Sequence, residues 1–324
     1  MSKIMQREIE ILNTDLKIFP LGLGTVNAGL RWDGAELDKI FGTFLDFGGT
    51  LIDTAHVYSD WVGSERARSE RAIGDWLQRC KKRNQIVLAT KGGHPDMAVA
   101  NPDTHKSRMK KEDMASDLED SLRKLKTDYI DIYFYHRDDV SQPVEELVEA
   151  METFRKEGKI RYYACSNWST ERMKEADCYC KKKGYRGFVA NQSLFNLGYK
   201  YMNPLPDDTL VYADAEMQSY HKTNPANLLM PYMGVCSGFF HTYLEEGEEA
   251  IKDSPYFTEG NRKAALRVKE LCRRYRATVS QVVLGFFGQQ EFICAPLYGP
   301  RNAEQLKEAM KAFEIPFRKE DYII

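Results

Sequence analysis

Short apolar runs alternate along the chain with longer segments of helical period, and the alternation continues to the C-terminus. That is the pattern of repeated strand–helix units feeding a parallel sheet. It predicts strand and helix at 21–24 with 35–47, 51–53 with 64–79, 86–91 with 110–125, and 130–136 with 144–157. Four more pairs follow, 160–166 with 170–183, 188–194 with 213–222, 228–233 with 261–275, and 293–297 with 302–313. A further helix, 279–289, precedes the last strand, and 200–209 and 241–260 read as irregular. Ahead of the repeat, 8–11 and 16–18 form a hairpin about the turn residues Asn13-Thr14-Asp15 and are expected to plug one end of a barrel. Eight units predict an α/β fold, a (β/α)8 TIM barrel with its bottom closed by the N-terminal hairpin. An open doubly wound sheet is the alternative that counting strands leaves standing. No Pro/Gly/Ser-rich linker interrupts the series, so residues 1–324 read as one domain.

In such a barrel the site is built at the carboxyl ends of the strands, so polar residues that close apolar runs are the first candidates. Leu51-Ile52 ends in Asp53, 86–90 in Lys91, 129–135 in His136, 162–165 in Ser166-Asn167, and 188–190 in Asn191-Gln192. Alone, each reads as a solvated strand end, Asp53 as a cap, or His136 as a structural hydrogen-bonder. Together they are expected to converge on one mouth.

Asp53-x-x-x-x-Tyr58, followed by Lys91 after one strand and His136 after the next, resembles the catalytic tetrad of aldo-keto reductases. The resemblance covers nearly the whole chain, through Leu21-Gly22-Leu23-Gly24-Thr25, Ser69-Glu70-Arg71-Ala72-Ile73-Gly74, Ser237-Gly238-Phe239-Phe240 and Gly299-Pro300-Arg301-Asn302. It implies an NAD(P)H-dependent oxidoreductase that reduces an aldehyde or ketone, with Tyr58 as general acid and base. A free tyrosine titrates near ~10, so acid–base work near neutrality asks that its pKa fall by roughly 2 to 3, which is about 3 to 4 kcal/mol. An ammonium ~4 Å away at effective dielectric ~20 supplies on the order of 4 kcal/mol, so Lys91 is expected to provide the whole of it. Asp53 would hold Lys91 in place and charged, and His136 would orient the carbonyl and stabilise the developing oxyanion.

The glycine fingerprint of open dinucleotide folds is missing. Gly22-Leu23-Gly24-Thr25-Val26-Asn27 lacks the third glycine and no helix follows at once, so these glycines are expected to permit close packing at the barrel base. The resemblance implies instead that Ser166, Asn167 and Gln192 hold the nicotinamide carboxamide and that Tyr232 stacks on its ring. It puts the diphosphate along Met233, Gly234, Val235, Cys236, Ser237 and Gly238, where small residues let backbone N–H groups approach. Met233 and Gly234 stand where the family usually has serine and proline, which removes one side-chain phosphate contact. The adenosine 2′-phosphate is implied at Gly299, Pro300, Arg301 and Gln305, at the start of the last helix, where the dipole and free N–H groups favour an anion. Arg301 is the one fixed cation of that set. Some relatives have lysine, serine, arginine and asparagine in place of Gly299, Pro300, Gln305 and Ala309. The expected cofactor is NADPH, and those replacements leave NADH possible.

Charge and cysteine usage narrow the remaining classes. With 46 basic and 48 acidic residues, a formal net charge of -2 and a pI of about 6.4, no global field favours nucleic acid or an anionic membrane. Lys81-Lys82-Arg83 and Lys181-Lys182-Lys183 close predicted helices and read as solvated caps. The 7 cysteines form no C-x-x-C pair and read as reduced thiols. Residues 1–11 offer no signal-peptide core, and no window reaches the roughly 18 apolar residues of a membrane span. A cytoplasmic protein is expected, monomer or small homo-oligomer, whose partner is a small-molecule carbonyl or alcohol. The 6 histidines lack the His-x-His spacing of a metal hydrolase on this barrel, so no metal is expected. A second class stays open, because some relatives are cofactor-binding regulatory subunits with slow or no turnover. Trp32, Trp61, Asn167, Phe195 and Asn196 follow strands and are candidate pocket walls, suited equally to a small aromatic or a sugar carbonyl. The physiological direction, reduction or oxidation, stays open as well.

Overall fold

The computed structural model describes residues 8–63 and 65–323. A hairpin of β1 (Ile9–Glu10) and β2 (Lys17–Ile18) comes first. Eight parallel strands follow: β3 (Gly22–Gly24), β4 (Leu51–Asp53), β5 (Val87–Gly92), β6 (Ile130–Tyr135), β7 (Ile160–Ser166), β8 (Ala190–Gln192), β9 (Leu228–Leu229) and β10 (Leu297–Tyr298). Their hydrogen-bonded order is β10-β3-β4-β5-β6-β7-β8-β9. The ring closes through the Leu229–Cys294 bridge, with the Ala295 N–H donating to Leu229 O at 3.0 Å and Leu297 N–H to Pro231 O at 2.8 Å. The open-sheet alternative is thereby set aside. Outside lie α1 (Gly34–Asp46), α2 (Arg68–Cys80), α3 (Lys111–Leu125), α4 (Val144–Lys156), α5 (Thr170–Lys183), α6 (Ala215–Thr223), α7 (Phe239–Glu245), α8 (Glu259–Tyr275), α9 (Val279–Gly285) and α10 (Ala303–Met310).

The period of two along each strand sorts the core. Leu51, Val87, Ala89, Ile132, Phe134, Ala164 and Ala190 belong to one inner cluster, while Ile52, Leu88, Tyr133, Tyr163 and Cys165 pack under the helices. Ile9, Ile11, Leu16 and Ile18 of the hairpin join the inner cluster, so the hairpin plugs the barrel as expected. It is pinned there by the Tyr162 hydroxyl, which donates to Asp15 at 2.9 Å, and by an Arg161–Asp15 ion pair.

Several boundaries depart from the pattern for identifiable reasons. The last strand falls at Leu297–Tyr298 rather than 293–297, and β9 is cut to two residues. Pro231 and Pro296 interrupt these runs, and neither has an N–H for a ladder. A regular helix, α7, occupies part of 241–260. The start of α2 is Arg68, and the predicted beginning at Ser64 lies outside the described residues, as do residues 1–7 of the N-terminal segment. Close packing at the base holds for Gly22, where a Cβ would lie 2.7 Å from Leu297 Cδ2; at Gly24 the nearest atom is at an ordinary 3.7 Å. In α2, a Cβ on Gly74 would run into the Lys124 carbonyl of α3. Gly74→Ala is therefore expected to destabilise the fold by about 1–3 kcal/mol despite alanine's better helix propensity, read as a lower urea midpoint at unchanged slope.

Candidate active site

The inward row of each strand continues, two residues beyond an apolar side chain, into a polar one. Leu51 leads to Asp53, Ala89 to Lys91, Phe134 to His136, Ala164 to Ser166 and Ala190 to Gln192. This register brings the ends of β4, β5, β6 and β8 onto one centre, with Ser166 of β7 at the same mouth. The Lys91 ammonium, 1% exposed, donates all three N–H groups: to Asp53 Oδ2 at 2.7 Å, to Thr54 O at 2.7 Å and to the Tyr58 hydroxyl at 2.9 Å. Gln192 Nε2 donates to the other Asp53 oxygen at 2.6 Å. Burial works against the charge on Lys91, but Asp53 and Tyr58 more than offset it and hold the ammonium above its usual range. Thr54 is itself fixed, since its hydroxyl and that of Thr25 both meet Ser69 Oγ, at 2.8 and 2.9 Å. Ser69, on the first turn of α2, thus ties the loops after β3 and β4 together.

Tyr58 overturns one expectation. Burial pushes its phenol above the ordinary tyrosine range; Lys91 opposes this, and the Asp53 carboxylate beside Lys91 adds to the rise. Lys91 therefore does not bring the phenol toward neutrality by itself. The tyrosine is held as a protonated acid. His136 stands beside it with ring centroids 5.9 Å apart and is held well below the usual histidine range, first by burial and then by His94, Arg137 and Lys91. Its Nδ1 is buried without a partner among the described residues, so the tautomer that avoids a stranded N–H carries the proton on Nε2. His94 packs on its ring at 4.6 Å and is anchored through Nδ1 to Pro95 O at 2.9 Å. Thr54, His94 and Arg137 were not foreseen as part of this site. Arg137 was visible only as the neighbour of His136; its guanidinium spans His136 O, Thr209 and Asp207.

The residues expected around the nicotinamide form a connected network. Asn167, in the left-handed region at φ 60, donates to His136 O at 3.3 Å and Ser166 Oγ at 3.1 Å, and accepts from Val211 N–H at 3.1 Å and the Tyr232 hydroxyl at 2.7 Å. Its amide is fully engaged and knits three loops around the mouth. Ser166 keeps its own hydroxyl proton to give, and Tyr232 is fixed at its far end with its ring partly buried.

The loop 233–238 turns through successive left-handed residues, Cys236 at φ 53, Ser237 at φ 51 and Gly238 at φ 82, a geometry that points backbone N–H groups into one concavity. Val235, Ser237 and Gly238 line a cleft of about 250 Å³ with Gly299, Arg301 and Gln305. Two of the expected residues turn away. Cys236 is buried with its thiol on Asn196 Oδ1 at 3.1 Å, and Pro300 is buried outside the cleft wall. Met233 and Gly234 shape the loop from behind: Met233 takes φ 56, and a Cβ on Gly234 would meet Pro296 at 3.2 Å. A concavity of backbone N–H groups beside the Arg301 guanidinium, unpaired among the described residues, fits the phosphates of a dinucleotide.

A closed eight-stranded barrel with a buried lysine–carboxylate–tyrosine centre at its carboxyl mouth and a phosphate-sized cleft alongside defines a barrel oxidoreductase. A model of the Aldo/keto reductase family matches residues 20–323, and the chain belongs to that family. It is an NAD(P)H-dependent oxidoreductase. The chain is 29% identical over 315 residues to the uncharacterized oxidoreductase YrpG of Bacillus subtilis, covering 95% of this chain and 91% of that one. It is 25% identical to the aryl-alcohol dehydrogenase [NADP(+)] of Phanerodontia chrysosporium over 94% of this chain and 81% of that one. In fold it is similar to the crystal structure of the thermostable aldo-keto reductase Tm1743 in complex with the inhibitor epalrestat, at TM-score 0.71 and 21% identity, over 98% of this chain and 97% of the other. No helix among the described residues is long and apolar enough to cross a membrane.

Proposed function

We propose that the chain is an NADPH-dependent reductase of small aldehydes or ketones in which Tyr58 is the proton donor. The observation that carries this reading is the Lys91 ammonium, bonded at once to Asp53, Thr54 O and Tyr58 with His136 beside the phenol. When bound, the cofactor supplies the hydride that reaches the carbonyl carbon. Tyr58 then gives its proton to the carbonyl oxygen, and Lys91 stabilises the phenolate left behind. Neutral His136 donates from Nε2 to the same oxygen and aligns it with Tyr58. Asp53, fixed on both oxygens by Lys91 and Gln192, positions the ammonium. Ser166, Asn167 and Gln192 would border the nicotinamide carboxamide, Tyr232 its ring, the loop 233–238 the diphosphate, and Arg301 the 2′-phosphate. An aromatic carbonyl is the favoured substrate. The aryl-alcohol dehydrogenase relative supports it, as does Trp61, 47% exposed in the loop that carries Tyr58.

The test is loss of reduced-nicotinamide absorbance with NADPH and with NADH against aromatic aldehydes, methylglyoxal and keto-sugars. Turnover is expected with NADPH and fastest with an aromatic aldehyde. Tight NADPH binding with no turnover across the panel would favour the regulatory-subunit reading. The pH profile follows from the two titrations: His136, depressed, stays neutral above its lowered pKa, and Tyr58, raised, stays protonated. Reductive kcat is therefore expected to vary less than about twofold between about pH 6 and 8, where an unperturbed histidine would titrate.

A further inference from the structure

The cleft beside the 233–238 loop is also lined by a residue of the loop between β3 and α1. Arg31, exposed, lines it, and its guanidinium makes no hydrogen bond or ion pair among the described residues. Arg301 lines the same cleft and engages only through its backbone N–H, which donates to Gln305 Oε1 at 2.6 Å, so its guanidinium is also unpaired among the described residues. Gln305 is drawn back onto the helix start by that bond, and its own N–H is taken by Asn302 Oδ1 at 2.9 Å. A second observation marks the same cleft as built for a polar ligand. Tyr298, 2% exposed, lines it with a hydroxyl that completes no hydrogen bond among the described residues, Ser280 being its polar neighbour. An unpaired buried hydroxyl costs free energy unless something else completes it.

Two guanidiniums lining one cleft, neither ion-paired among the described residues, suit a phosphate monoester, which carries nearly two negative charges near neutrality. We propose that Arg31 is the second cation of the adenosine 2′-phosphate site, holding that group against Arg301 and setting the preference for NADPH over NADH. This rests on reading the cleft as the dinucleotide site. Arg31 thus makes up for the absence of cations at Gly299, Pro300 and Gln305.

Titrations following tryptophan fluorescence test this with NADPH, NADH, 2′,5′-ADP and 5′-AMP on wild type, Arg31→Met and Arg301→Met. Arg31→Met is expected to raise the Kd for NADPH and for 2′,5′-ADP about tenfold, the worth of one charge-assisted contact, and to leave NADH and 5′-AMP unchanged. Its NADPH affinity should also depend less steeply on salt. With no partner for Arg31 to lose, the melting temperature is expected to stay at the wild-type value. Unchanged NADPH affinity in Arg31→Met, with wild type still preferring NADPH, overturns the assignment while the reductase reading stands. Equal losses for NADPH and NADH overturn it by moving Arg31 to the diphosphate, and a wild type that prefers NADH overturns it outright. A wild type that binds neither dinucleotide removes the functional reading itself.

Discussion

The Tyr58→Phe variant is expected to lose about three orders of magnitude in kcat for carbonyl reduction, with its Kd for NADPH within about twofold of wild type. The change deletes one oxygen and keeps the ring, so the edge-on contact with His136 at 5.9 Å persists. Lys91 keeps Asp53 Oδ2 and Thr54 O but loses its third acceptor. Stability should fall by about 1–3 kcal/mol, the cost of one unsatisfied charged donor, which leaves the variant folded and testable. The readouts are single-turnover reduction and thermal melting on the same preparation. Neutral His136 offers an Nε2–H to the carbonyl oxygen but has little tendency to part with that proton, so it polarises without replacing the acid. Turnover in Tyr58→Phe within tenfold of wild type would mean that the proton comes from elsewhere, with water or His136 as the source.

The position of the site was readable from the sequence because the strand period of two does the placing. Once Leu51, Ala89, Phe134 and Ala190 face inward, Asp53, Lys91, His136 and Gln192 must follow on the same face one step nearer the mouth. Tyr58 was reachable only through its spacing from Asp53 in the family resemblance, since a loop has no period. The direction of its titration was out of reach altogether. A pairwise estimate counts the ammonium at ~4 Å but sees neither the burial nor the partial cancellation by Asp53, and these reverse the sign. Residue type likewise did not say which members of a small-residue loop face a ligand. Cys236 turns inward to Asn196, while its neighbour Ser237 opens onto the cleft. Arg31 escaped notice for the same reason: nothing along the chain links it to Arg301, and only closure of β3 against β10 brings their loops to one cleft.

Lys91→Met is expected to abolish measurable reduction and, unlike Tyr58→Phe, to cost about 3–5 kcal/mol of folding stability, because it strands a carboxylate in the barrel. Asp53 is 0% exposed and would retain only the Gln192 amide. The stability loss carries a pH signature. Burial holds the Asp53 carboxyl above its ordinary value even beside Lys91, and without the ammonium that opposes it the folded variant holds it higher still, so the native state keeps a proton that the unfolded chain gives up. That stabilisation is complete below the unfolded pKa of about 3.9 and is lost as pH rises through the folded pKa, so the deficit against wild type should be smaller at about pH 5 than at about pH 8. Urea titrations at both pH values measure it. Adding Asp53→Asn removes the stranded charge and keeps an oxygen for Gln192, so the double variant is expected to recover more than half of the lost stability at about pH 8 and none of the activity. That split separates the two roles of the lysine. A single variant that loses less than about 1 kcal/mol would mean that Asp53 gives up its charge without cost, and the pair would then hold Tyr58 by hydrogen bonding alone.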